Sequence, residues 1–190
     1  MPDAAAAAVA GPADVPAAIA PLTLVLGGAR SGKSAYAESL LEAQRARVYL
    51  ATARAEDVEM ESRILAHRAR RGPGWITVEE PLEVGRALAA QSAPGRAVLV
   101  EALTMWLANL MDAAIDPGPE IERLAGMLPG LPGPVVLVSD EVGLGVVPET
   151  ELGRTFRDLA GQLNQRMARL CQRVLFVAAG LPLTLKDVRE

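Results

Sequence analysis

Short runs of apolar residues alternate along this chain with longer stretches in which apolar residues recur at helical spacing. Runs that are apolar on both faces are typical of strands buried within a parallel sheet. Strands are therefore predicted at Leu22–Leu26, Arg47–Ala51, Trp75–Glu79, Ala97–Val100, Val135–Val138 and Val174–Ala178. Helices are predicted at Lys33–Ala43, Asp57–Arg70, Leu82–Ala90, Thr104–Asp112, Glu120–Leu128 and Glu149–Leu170, with Pro117-Gly118-Pro119 as a break before the fifth. The alternation indicates an α/β fold, a mostly parallel sheet with helices on both faces.

The first twenty residues have a different composition from the rest of the chain. They are nearly all Ala, Pro, Val, Gly and Asp, with Asp3 near the start and breaks at Pro12 and Pro16. A secretory signal has a cationic start and an unbroken apolar core, which this pattern does not fit. We expect residues 1–20 to be a loosely ordered extension and residues 21–190 to form a single domain.

Composition and charge exclude several classes of function. The net charge of −4 over 190 residues argues against general nucleic-acid binding, which needs clustered cations. No apolar run reaches the roughly 20 residues of a membrane span. The single cysteine, Cys171, has no partner for an internal disulfide, which favours a cytoplasmic location.

The strongest motif is a glycine-rich loop between the first predicted strand and the first predicted helix. Its spacing, G-x-x-x-x-G-K-S, is that of a loop whose backbone N–H groups cradle nucleotide phosphates. Lys33 would contact the β and γ phosphates, and Ser34 would bind Mg²⁺. The nucleotide-binding residues predicted here are Gly27, Gly28, Ala29, Arg30, Ser31, Gly32, Lys33 and Ser34.

Carboxylates follow two of the other apolar strands. Glu101 comes after Ala97–Val100, and Asp140 and Glu141 come after Val135–Val138. The carboxyl ends of parallel strands form the ligand-binding edge of such a sheet. Glu101 is a candidate metal ligand or general base, whereas an acid after a strand also serves simply as a helix cap. For Glu141 both interpretations stay open.

The only histidine, His67, lies on the polar face of the predicted helix Asp57–Arg70, together with Glu59 and Arg63. Composition alone favours an exposed residue near the helix end. The alternative is a nucleophile that attacks phosphorus and forms a phosphoramidate. In that case Arg63 and Arg68 would balance the phosphate charge and bind the nucleotide.

Several segments together resemble a known family, the bifunctional adenosylcobinamide kinase/adenosylcobinamide-phosphate guanylyltransferases of cobalamin biosynthesis. The resemblance spans Leu22 to about Lys186. Its most specific parts are E-V-G-x-G-x-V-P and F-R-D-x-A-G-x-x-N-Q. The segments that carry it are Gly27–Ser34, Tyr49–Ala53, Glu59-Met60 with Arg63-Ile64 and His67, Leu103–Leu110, Glu141–Glu149 and Phe156–Arg166.

The resemblance implies two reactions. ATP or GTP phosphorylates the aminopropanol hydroxyl of adenosylcobinamide, and a guanylylated histidine then passes GMP from GTP to the new phosphate. It implies a RecA-like phosphate-loop domain, a homotrimer, catalytic roles for Lys33, Glu101 and His67, and a metal role for Ser34 and Glu101. This chain departs from many relatives in having Asp140 where they carry Asn, and in having Ala66 before His67 where some carry a second histidine.

Other interpretations of the same residues stay open at this stage. Gly143 and Gly145 also fit a plain turn, and Trp106 fits a core position rather than a corrinoid platform. Asn164 and Gln165 fit a polar inner contact or an interface. A different small-molecule kinase would need no histidine nucleophile. A non-enzymatic nucleotide-binding regulator would bind nucleotide without corrinoid turnover.

Overall fold

The computed structural model describes residues 19–54, 71 and 74–188. The strands in this part of the chain form one sheet, and its strand order is β3-β2-β4-β5-β1-β6-β7. Six strands run parallel, and β7 pairs antiparallel with β6. The strands are β1 Leu22–Gly27, β2 Ala46–Ala51, β3 Trp75–Glu79, β4 Arg96–Glu101, β5 Val135–Asp140, β6 Arg173–Ala178 and β7 Leu181–Asp187.

Helices cover both faces of the sheet. Alternate strand residues point to opposite faces, so β1 to β6 each contribute to two apolar clusters, one shared with α2 to α5 and one shared with α1. The predicted fold, a mostly parallel sheet covered on both faces, is therefore confirmed. The helices are α1 Lys33–Ser39, α2 Val84–Gln91, α3 Leu103–Asp112, α4 Pro117–Met127 and α5 Glu151–Leu170, with a 3₁₀ turn at Leu128–Gly130.

Two boundaries of the described helices differ from the prediction by three or four residues, and the others by two at most. Helix α1 ends at Ser39 rather than Ala43, and the Ser39 hydroxyl donates to the Tyr36 carbonyl at 2.7 Å. Such a bond within the last turn competes with helix propagation. Helix α4 begins at Pro117, because the Asp116 side chain caps the Gly118 N–H and proline is favourable in the first turn. The predicted break between α3 and α4 is confirmed, but it lies at residues 113–116 and not at Pro117-Gly118-Pro119.

Strand β7 was not predicted. It carries Pro182 and lies at the edge of the sheet, where a missing N–H costs no ladder bond. Residues 1–18 of the proposed extension and the whole of the predicted helix Asp57–Arg70 lie outside the described residues, and the single-domain prediction for 21–190 stays a prediction. In the ranges 19–54 and 74–188, no helix is both long and apolar enough to cross a bilayer.

Candidate functional site

The carboxyl ends of β1, β5 and β4 meet at one edge of the sheet. Strand β5 lies between the other two, and Gly27 at the end of β1 is in register with Asp140 at the end of β5. Glu101 ends β4, the next strand across. The sheet order therefore brings the glycine-rich loop together with the two predicted strand-end acids.

The loop after β1 has the backbone features that are expected of a phosphate-binding loop. Gly32 caps α1 with φ 93°, a left-handed conformation that favours glycine. A Cβ at Gly27 would lie 2.5 Å from both the Ser31 hydroxyl and the Val177 carbonyl oxygen, so a side chain is excluded there. The Gly180 N–H donates to the Ser31 carbonyl at 2.8 Å and ties the loop to the end of β6. The loop shape thus depends on glycine where the chain is most crowded.

Lys33 points back over this loop. Its ammonium donates to the Gly28 carbonyl at 3.3 Å and lies 2.5 Å from Asp140 Oδ1. Only 10% of the lysine side chain is exposed. The cation is therefore held at the place where phosphates are expected to bind.

Ser34 and Glu101 are in direct contact. The serine hydroxyl donates to Glu101 Oε1 at 2.6 Å. The other carboxylate oxygen, Oε2, is buried and has no hydrogen-bond partner among the residues that the structure describes. Burial raises the pKa of Glu101 to about 7, with the nearby acids Glu38 and Asp140 adding to the effect, while Ser34 and Lys33 oppose it. The two predicted metal ligands thus lie together, with an oxygen left over for a further partner.

Buried polar side chains bind the backbone at and next to Glu101. The Thr52 hydroxyl accepts from the Ala102 N–H at 2.8 Å, and Asn109 donates to the Thr52 carbonyl at 2.8 Å. Thr52 is fully buried and Asn109 is 4% exposed. The sequence reasoning did not single out these residues. A threonine directly after strand β2, at the ligand edge of the sheet, was the available signal.

Asp140 is also fixed from two sides. Thr104, at the start of α3, donates to Asp140 Oδ2 at 2.5 Å, and Asn164 of α5 donates to the Asp140 carbonyl at 3.0 Å. Asn164 is 6% exposed, so the prediction of a polar inner contact is confirmed. The role of Thr104 was missed, although it lies three residues after the end of β4 at this edge.

Two other candidates have structural roles. Glu141 accepts from the Gly143 N–H at 2.7 Å, a bond within the loop after β5 rather than a helix cap. Residues 143 and 144 form a turn. Trp106 is 1% exposed and its indole donates to the Leu82 carbonyl at 2.7 Å, so it is a core residue as predicted.

His67, Arg63 and Arg68 lie outside the described residues, and their predicted roles stay predictions. Arg71, four positions after His67 in the sequence, is described. Its guanidinium lies over the Tyr49 ring of β2, 3.4 Å from the ring centroid. Within the described ranges, no cluster of three or more His, Cys, Asp or Glu side chains forms a metal site. A metal here would depend on the Ser34 hydroxyl and Glu101.

Comparison with protein families and curated proteins gives consistent matches. A family model described as cobinamide kinase / cobinamide phosphate guanyltransferase matches residues 23–185. The bifunctional adenosylcobalamin biosynthesis protein CobP of Pseudomonas aeruginosa is 51% identical over 167 residues, which cover 86% of this chain and 96% of that protein. The bifunctional adenosylcobalamin biosynthesis protein CobU of Escherichia coli is 38% identical over 180 residues, which cover 87% of this chain and 99% of that protein.

Comparison with solved structures supports the fold alone. A prototypical ATPase from the type III secretion system of pathogenic bacteria aligns with a TM-score of 0.53 and 9% sequence identity. The alignment covers 86% of this chain, which spans 56% of that ATPase chain. This likeness agrees with the predicted α/β fold, a mostly parallel sheet with helices on both faces.

Proposed function

The chain belongs to the cobinamide kinase / cobinamide phosphate guanyltransferase family. We propose that its phosphate loop and Glu101 act in the kinase reaction and that His67 acts in the guanylyltransferase reaction. The chain is a bifunctional enzyme of adenosylcobalamin biosynthesis, with kinase and guanylyltransferase activities. The residues assigned to each reaction, the metal, the assembly and the compartment are our proposals.

In the kinase step, the aminopropanol hydroxyl of adenosylcobinamide attacks the γ-phosphorus of ATP or GTP. The bond between the γ-phosphorus and the oxygen that bridges it to the β-phosphate breaks, and a base accepts the hydroxyl proton. Such transfers depend on positioning and charge stabilisation rather than on a protein nucleophile. We assign the loop Gly27–Ser34 to the phosphates, Lys33 to the transferred group, and Glu101 to the metal or to the hydroxyl proton. The contact between Ser34 and Glu101, beside Lys33, is the observation that carries this assignment.

The residues at this site fit Mg²⁺. Magnesium prefers oxygen ligands, typically one or two protein groups together with substrate phosphates and water. The Ser34 hydroxyl and Glu101 supply such oxygens, and the buried Oε2 of Glu101 lacks a partner among the described residues. When bound, Mg²⁺ would neutralise charge on the phosphate oxygens.

In the guanylyltransferase step, we assign His67 as the nucleophile. Its imidazole attacks the α-phosphorus of GTP, pyrophosphate leaves, and the phosphate made in the first step then displaces the imidazole to give adenosylcobinamide-GDP. Arg63 and Arg68 would balance the negative charge on the transferred phosphate. This assignment is supported by the family and by the absence of any other histidine in the sequence.

The overall assignment is tested by incubating the protein with adenosylcobinamide and each triphosphate separately. With GTP alone, mass spectrometry should detect both adenosylcobinamide phosphate and adenosylcobinamide-GDP. With ATP alone, only the phosphate should form if ATP serves as a kinase donor. A protein that forms neither product with either donor would refute the substrate assignment.

Glu101→Gln retains the shape of the side chain and removes its charge. We expect the kinase rate to fall by about 100-fold or more, as for the loss of a general base or metal ligand. The rate is measured at saturating Mg²⁺ and triphosphate. Glu42→Gln, an equal charge change at an exposed position beyond α1, is the control and should leave the rate unchanged. A Glu101→Gln enzyme with a near wild-type kinase rate contradicts the role of Glu101.

We propose a homotrimer in the cytoplasm. In the loop after β5, Leu144 and Val146 are 81% and 94% exposed, and Leu181 and Leu183 on edge strand β7 are 72% and 60% exposed. Exposed apolar groups of this kind favour burial between subunits. Light scattering should give about three times the chain mass of 19.9 kDa, whereas a monomer mass would contradict the trimer.

Burial raises the pKa of the lone Cys171 to about 12, which suits a protein without disulfides.

A further inference from the structure

The Lys33 ammonium and the Asp140 carboxylate form an ion pair inside the phosphate site. Their charged atoms are 2.5 Å apart, and the side chains are 10% and 28% exposed. Lys33 begins α1, the helix that follows β1, and Asp140 ends the adjacent strand β5. The lysine that is assigned to the triphosphate is thus already paired with an anion of the protein itself.

The position of Asp140 does not depend on Lys33. Thr104 holds the other carboxylate oxygen at 2.5 Å, and Asn164 holds the backbone carbonyl at 3.0 Å. Backbone pairing of β5 with β1 fixes the residue further. Asp140 is therefore expected to stay close to the phosphate loop even when Lys33 turns to another anion.

We propose that Asp140 is a built-in competitor of the triphosphate: it holds Lys33 in the nucleotide-free protein and thereby sets the affinity for nucleotide. The inference rests on the phosphate-binding role of Lys33 proposed above. When a triphosphate enters, Lys33 exchanges the Asp140 carboxylate for phosphate oxygens. No covalent bond changes in this exchange.

Two electrostatic effects of Asp140 oppose binding. First, the attraction between Lys33 and Asp140 must be given up, in a site where little water screens it. Second, the freed carboxylate faces the phosphates, and like charges at short range repel each other. Removing the charge of Asp140 abolishes both effects. Removal of this charge also leaves the Lys33 ammonium almost buried and without its anionic partner in the nucleotide-free protein. Binding of a phosphate then stabilises the ammonium more than it does in the wild type.

The test compares nucleotide affinity in two charge-removing variants, Asp140→Asn and Asp140→Ala. Calorimetry with a non-hydrolysable GTP analogue and Mg²⁺ gives the dissociation constant. We expect Kd to fall by about tenfold or more in both variants, the scale measured for close charge pairs. Glu42→Gln changes the net charge equally at an exposed site and should leave Kd unchanged.

The direction of the change separates this role from a structural one. A residue needed only to support the loop would weaken binding when replaced, so an unchanged or increased Kd in both variants overturns the inference. Should either variant lack a folded state for calorimetry, the remaining one decides. If Lys33→Ala loses binding while Asp140→Asn has an unchanged Kd, the proposal that Asp140 competes with the triphosphate is rejected. The assignment of the phosphate site then still stands. Undiminished binding in Lys33→Ala instead rejects the phosphate-site assignment on which it rests.

Discussion

Replacement of His67 by alanine is expected to eliminate covalent labelling of the protein by GTP that carries the label in its α-phosphate. The guanylyltransferase reaction should disappear with it, because the proposed route needs a side chain that attacks phosphorus and later leaves. The kinase reaction should persist in large part, since phosphoryl transfer to a hydroxyl needs no protein nucleophile. The two activities should therefore separate in a single variant.

The chemical stability of the label identifies the bond. A phosphoramidate on the wild-type protein should be lost in acid and survive in alkali, unlike a phosphoester. Glu42→Gln is the control and should label as the wild type does. Labelling that persists in His67→Ala would mean that another residue is the nucleophile. A wild-type protein that forms adenosylcobinamide-GDP without ever being labelled would contradict the covalent route.

Lys33→Ala is expected to leave no detectable binding of a triphosphate. Truncation of one partner of a close, nearly buried charge pair costs about 2–5 kcal/mol, which is about 30-fold or more in Kd. The loss should lie at the upper end, because Asp140 would then face the phosphates with no cation between them. Calorimetry measures Kd, and circular dichroism shows whether the variant is folded.

The sequence offers a matched control for this change. Lys186 is the only other lysine in the chain. It donates to the Ala168 and Arg169 carbonyls at 3.1 and 3.2 Å and pairs with Val174 near the start of β6, at the opposite edge of the sheet. Lys186→Ala removes an equal charge and should bind nucleotide like the wild type. If Lys33→Ala binds as tightly as Lys186→Ala, the phosphate loop is not the nucleotide site.

The features that were predicted correctly depend on neighbouring residues in the sequence. The glycine-rich loop is recognisable from eight consecutive positions, Gly27–Ser34, because glycine permits the crowded and left-handed backbone that the cradle needs. The central parallel strands β1, β4 and β5 were found because residues buried on both faces are continuously apolar. Edge strand β7 was missed because its exposed leucines and Pro182 do not resemble a buried strand.

The sequence alone thus determined the sheet type and, through the family resemblance, the reactions, and it predicted the phosphate loop. Only the tertiary structure decided which strand-end acid contacts Lys33 and which contacts Ser34. Ser34 meets Glu101 across 67 positions of sequence, and Lys33 meets Asp140 at the end of the adjacent strand. Both pairings follow from the strand order, in which β5 lies between β1 and β4. Local periodicity carries no information on strand order, because that order depends on how helices pack across the sheet and which distant strands pair.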